Sequence, residues 1–143
     1  MTLSEDQKFR EAPPVDNTAH QQAVEELRAY AKRALPTDYL EFLSRCDGGE
    51  GFIGEGYFVI DGPKLAVGSN EAHAQFGNPL LFIGSDGGGE GLAFDLREGS
   101  WPQIVMAPFI GTDNESCWVP VAPSLADLLA GKFTDEFKVY FSV

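Results

Sequence analysis

The sequence predicts an α+β domain: helices at the N-terminus, a central, mostly antiparallel sheet, then a C-terminal helix. Three observations carry this reading. Apolar residues recur at helical spacing as far as Cys46. Fifteen of the 16 glycines then fall between Gly48 and Gly111, where short β-branched and aromatic runs alternate with turn residues. Helical spacing returns after Ser124. Helices, then a run of strands, then a helix, with no internal repeat or low-complexity tract, describes one domain. The length of 143 residues agrees, as domains usually hold ~100–200. At 43% hydrophobic and 22% charged, the composition is globular.

The elements follow in order. Residues 1–17 are polar and carry Pro13-Pro14, which reads as a mobile arm with a helical turn after Ser4. The domain proper is expected over 18–143. Thr18 with Gln21 makes a capping box, with Asn17 as the alternative cap. Ala23, Val24, Leu27, Tyr30, Ala31 and Ala34 then give an amphipathic helix over about 18–34. Pro36 fits the first turn of a second helix, where its missing N–H is not needed. Tyr39, Leu40, Phe42, Leu43 and Cys46 form the buried face of that helix, and Gly48-Gly49 ends it. Strands are expected near 57–61, 80–84, 91–96, 103–107 and 117–121, with 51–54 left open. Ser69 to Phe76 reads as a short helix capped by Ser69 or Asn70. Ser124 caps the last helix, with Asp127 at its positive end and Leu125, Leu128 and Leu129 packing inward. Phe133, Phe137, Tyr140 and Phe141 make the tail too apolar to be free, so it is expected to dock on the domain or on a partner chain.

The charge balance narrows function. Asp and Glu number 22 against 10 Lys and Arg, a net charge of −12. Residues 36–130 carry −11 of this, with only Arg45, Lys64 and Arg97 as bases. Such a chain repels phosphate backbones and anionic lipid, so neither nucleic acid nor membrane is the expected partner. A basic protein suits it. The start, Met1 to Asp6, has no basic and apolar run of a secretory signal, and no stretch reaches ~18–20 apolar residues. Cys46 and Cys117 lie far apart without a CxxC pattern, which reads as two buried thiols in a reducing cytoplasm.

Each motif has a bland reading. Gly84-Ser85-Asp86-Gly87-Gly88-Gly89-Glu90-Gly91 lies between two strands. A phosphate loop would want a following helix and a Lys; this segment has neither, and its acids would repel phosphate. A tight, irregular hairpin needing positive φ fits better. Asp86, Glu90 and Asp95 offer hard oxygen ligands but match no calcium-loop spacing, and Asp95 at a strand end can cap the next turn. His20 and His73 have no ligand-spaced companions and read as surface residues. The serines lack a nucleophile elbow, and Cys117 has no histidine base. No catalytic residue, metal or cofactor is expected.

The order Leu35-Pro36-x-x-Tyr39-x-x-Phe42-Leu43, Asp47-Gly48-Gly49, Phe82 to Gly91 with Ala93-Phe94-Asp95, Ile104 to Gly111, and Val121 to Leu129 resembles the SUKH superfamily. The likeness is to its branch related to the fungal Smi/Knr cell-wall-synthesis regulators. The resemblance implies an α+β binding domain without a family-wide catalytic triad. Bacterial members look like immunity proteins that neutralise toxins, often nucleases, and fungal members are signalling scaffolds. Cys117-Trp118 and the aromatic tail depart from the pattern.

Together these readings predict a cytoplasmic, non-catalytic immunity-type protein that binds a basic toxin. Glu50, Glu55, Asp86, Glu90 and Asp113, all expected on loops, are the candidate partner-binding residues. Trp101 and Trp118 are candidate anchors whose alternative is core packing. A signalling adaptor is the second reading, and a small metal-binding hydrolase using Asp86, Glu90 and Asp95 the third. Oligomeric state stays open.

Overall fold

The computed structural model describes residues 4–15, 17–74, 77, 79–110, 112 and 114–140. It is an α+β fold with one seven-stranded antiparallel sheet whose strands lie side by side in chain order. The strands are β1 (Arg10–Glu11), β2 (Gly48–Ile53), β3 (Gly56–Asp61), β4 (Leu80–Ser85), β5 (Glu90–Asp95), β6 (Ile104–Pro108) and β7 (Val119–Ala122). The helices are α1 (Thr18–Ala31), α2 (Thr37–Arg45), α3 (Pro63–His73), α4 (Leu125–Leu129) and α5 (Asp135–Tyr140).

Local chemistry sets the helix ends. Asn17 is the N-cap of α1, its side chain accepting from the His20 amide at 2.9 Å. The helix stops short of residue 34 because Lys32 turns left-handed at φ 57°. Pro36 stands just before α2 with an extended backbone, and α2 starts at Thr37. Ser124 caps α4 by accepting from the Asp127 amide at 3.1 Å. The Asp38 carboxylate in α2 accepts from the Ala126 amide at 2.9 Å and ties the two helices together.

The main core lies between one sheet face and the helices. Phe58, Ile60, Leu81, Ile83, Leu92, Phe94, Ile104 and Val121 meet Leu27, Tyr39, Phe42, Leu125 and Phe137 there. The opposite face of β4–β6 carries a smaller cluster of Leu80, Phe82, Ala93, Val105, Ala107 and Trp118. The indole N–H of Trp118 donates to Thr112 O at 2.8 Å, and Arg97 stacks on the ring at 4.8 Å. Trp101 is half-buried between Phe94 and Arg33. Both tryptophans therefore pack against the domain.

Several expectations are corrected. The third helix begins at Pro63 rather than near Ser69, with Gly62 before it and proline at its first turn. Asn70 is not a cap. It is buried inside α3, where its amide exchanges two 2.8 Å bonds with the Phe82 N–H and C=O. β3 and β4 pair only at Val59–Ser85 and Ile60–Gly84. Where they part, Asn70 supplies the missing strand partner. Phe76 lies outside the described residues.

The arm is docked: β1 pairs antiparallel with β2, and Glu5–Gln7 forms a 3₁₀ turn. β2 spans Gly48–Ile53 and β5 begins at Glu90, so Glu50 and Glu90 sit in strands and not in loops. His20 is buried, with a ring nitrogen 2.8 Å from Leu43 O. Cys46 is buried but Cys117 is exposed, and both are free thiols. The tail docks as expected. Phe133 and Phe137 pack on Phe58 at centroid distances of 5.7 and 5.8 Å. No helix among the described residues is long and apolar enough to cross a membrane.

Candidate partner-binding surface

β2 and β3 alternate between two environments. Phe58 and Ile60 point into the core, while Tyr57, Val59 and Asp61 stay half-exposed on the other side. Over β4–β6 that outer side is covered by Trp118, with Phe109 beside it. Over β1–β3 it forms a groove of about 630 Å³ whose lining includes Phe52, Tyr57, Val59 and Leu65. Leu65 in that lining is 70% exposed. The charged residues of the lining are Asp6, Glu11, Asp47, Glu50 and Asp61 against Arg10. Glu11 is engaged by Arg45 at 2.8 Å.

Asp61 is the most perturbed of these acids. It ends β3 immediately before α3, and burial pushes its carboxyl up to about 6. No cation of the described residues contributes to that shift. A Cβ on Gly62 would fall 2.0 Å from an Asp47 carboxylate oxygen, so Asp47 lies against the start of α3. Negative charge is favoured at that helix end.

The five acids expected to bind are only partly brought together. Glu50 lies on β2 opposite Val59, and its carboxylate accepts from the Tyr57 hydroxyl at 2.6 Å. That bond raises the phenol's pKa, because the adjacent carboxylate disfavours a phenolate. The Tyr57 ring, edge-on to Phe52 at 5.1 Å, runs beside Gly87 of the glycine loop, where a Cβ would lie 3.2 Å from it. Glu50, Tyr57 and the loop thus form one continuous edge.

Asp86 braces that loop. One of its carboxylate oxygens accepts from the Gly88 amide at 2.8 Å and the Glu90 amide at 3.3 Å. Gly87 adopts φ +84°, as a hairpin of this shape requires. Glu90 is half-buried, and its carboxyl is raised by burial and then by the charge of Asp86. Glu55 stands exposed at the tip of the β2–β3 hairpin, next to Gly54, which faces Phe133. The tip and the glycine loop leave the same end of the sheet, because both are hairpins between antiparallel neighbours in sequential order. Asp113 lies outside the described residues. Asp95 is fully buried and bound by Arg97, which donates to both carboxylate oxygens. It also accepts from the Arg97 amide at 3.0 Å, the capping role open to it from sequence. No group of three or more His, Cys, Asp or Glu placed to hold a metal occurs among the described residues.

Asp61, Phe52 and Tyr57 escaped the sequence reading. The signal was the period-2 alternation of Tyr57-x-Val59-x-Asp61 against Phe58-x-Ile60. It marks a strand with one open face, and Asp61 is the acid on that face.

The sequence model described as the SMI1 / KNR4 family (SUKH-1) matches residues 18–131, from the start of α1 to just beyond α4. No curated protein matches the chain.

Proposed function

Because the chain belongs to the SMI1 / KNR4 family (SUKH-1), we propose that it is an immunity-type binding protein, which neutralises a basic toxin through the groove over β1–β3. The observation that supports this most is the half-buried Asp61 carboxylate. No cation of the described residues contributes to its shift, and its groove is lined by Phe52, Val59 and Leu65 with five acids against Arg10. A lysine or arginine of the toxin would supply the missing countercharge, and Phe52, Val59 and Leu65 would bury its stem.

Inhibition of this kind needs no bond-making step. A nuclease holds its substrate with positive charge, and an acidic protein can cover that surface. The net charge of −12 hastens the encounter, while the groove fixes the register. From Glu50 in the groove, Asp86 and Glu90 continue the acidic edge. Glu55, on the hairpin tip, and Asp113 stay in the same proposal as further candidate charges.

The test is co-expression with the toxin encoded beside the chain. Wild type restores growth, and the triple variant Asp47→Asn/Glu50→Gln/Asp61→Asn does not, although it stays folded. Equal protection by the triple variant would remove the groove from the proposal. Protection by neither protein, with a cellular protein captured instead, would favour the adaptor reading.

A further inference from the structure

The glycine run of β2 lies under the N-terminal arm, and its geometry shows what it accepts. A Cβ on Gly49 would lie 2.6 Å from Arg10 O and 2.9 Å from the Phe9 ring. One on Gly51 would lie 2.5 Å from Lys8 O. At both positions the three nearest atoms all belong to the arm, so the glycines serve the arm and not the domain core. The Phe9 amide donates to Phe52 O at 2.9 Å and the Ala12 amide to Gly48 O at 2.8 Å. Pro13 and Pro14 have no N–H and cannot extend this ladder. Phe9 packs against the core cluster, while Arg10 stands opposite Glu50 in the register.

Beyond its backbone bonds, the arm is held by the Phe9 ring and the Glu11–Arg45 pair. Residues 4–8, 10 and 11 are exposed, so little of the arm's apolar surface is buried. Segments with few buried apolar contacts are the first to open. The family match begins at residue 18, beyond the arm. Removing the arm exposes a strand edge with free N–H and C=O groups beside the acidic groove, the setting in which an extended peptide adds as a strand.

We infer that the outer edge of β2 is a strand-accepting site for an extended aromatic–basic segment of the partner protein, and that residues 8–12 are its displaceable occupant in cis. The arm's own Phe9-Arg10 shows the chemistry that fits: backbone over the glycines, an aromatic ring toward the core, and the Arg10 cation in the acidic groove opposite Glu50. The inference rests on the binding reading above and specifies which edge of the groove the partner grips.

A labelled peptide copying residues 4–13 tests it, with binding followed by anisotropy against three full-length proteins. The tethered arm competes at an effective concentration of about a millimolar, so wild type binds weakly. Phe9→Ala/Glu11→Ala loosens the arm and should bind the peptide about tenfold more tightly than wild type. The three atoms nearest a Cβ at Gly49 all belong to the arm, so Gly49→Ala should stay folded by circular dichroism yet bind no peptide. Hydrogen exchange gives a second readout: with the toxin bound to wild type, the Phe9 and Ala12 amides lose protection while β2 keeps its own. Equal binding by all three proteins, no binding by any, or unchanged protection at Phe9 and Ala12 overturns the inference. Dimers of the loosened variant that vanish in Gly49→Ala would assign the edge to a second copy's arm and overturn the partner-strand assignment. Toxin protection that persists in Gly49→Ala removes the inference and leaves the binding reading intact. Peptide binding without any toxin protection does the reverse.

Discussion

Asp61 is where the account meets a single group. Its folded carboxyl titrates near 6, above the ordinary value of 3.8. A raised acid contributes stability that is complete below the unfolded value and is lost as pH rises through the folded one. Wild type should therefore melt higher at pH 4 than at pH 7 on this group's account. Asp61→Asn should raise stability at pH 7 by about 1 kcal/mol after allowance for solvent screening, and the gain should shrink toward pH 4. Thermal unfolding of both proteins across that range checks it. The same substitution should weaken toxin binding, the pattern of a residue kept for function at some cost in stability. Asn70 is a structural counterpart. Asn70→Ala would leave the Phe82 N–H and C=O without their side-chain partner, at a cost of about 2–3 kcal/mol in denaturant unfolding.

Among the elements, α5 makes the plainest prediction. Phe137 is fully buried against Phe58 and Phe133. Phe137→Ala should cost about 3–5 kcal/mol by chemical denaturation, as a large core aromatic does. The tail's apolar residues made this docking legible in sequence, and Ser124 announced α4 by its cap. Other elements were hidden for physical reasons. β2 carries little apolar alternation, because Gly49 and Gly51 face the arm's backbone and not a core. Its strand character comes from pairing on both sides. α3 was read too late in the chain because Ser69 and Asn70 look like caps, whereas Gly62 and Pro63 are the start. Asn70 works in tertiary structure, at a gap between strands that no local pattern encodes. The glycine loop was read correctly as a hairpin, but the role of Asp86 within it needed coordinates. An acid bracing its own loop looks the same in sequence as one awaiting a partner.

At the scale of the whole molecule, the surplus of carboxylates was visible from composition and their grouping was not. Of the five acids picked from sequence, Glu50 lines the groove, Asp86 sits in the adjoining glycine loop and Glu90 starts β5 beside it. Glu55 stands on the hairpin tip. The sequential strand order explains the grouping: β1, β2 and β3 lie together at one side of the sheet, beyond the part that Trp118 covers. A partner drawn by this charge should associate more slowly as salt rises, because the Debye length falls from about 10 Å at 0.1 M to about 3 Å at 1 M. Stopped-flow mixing over that range would show it. The most direct measurement is calorimetric titration of the neighbouring toxin into three proteins: wild type, Asp47→Asn/Glu50→Gln/Asp61→Asn, and Asp86→Asn/Glu90→Gln. The groove variant should bind at least about tenfold more weakly than wild type, while the loop variant stays within about threefold. A loop variant that loses binding while the groove variant keeps it would contradict the account.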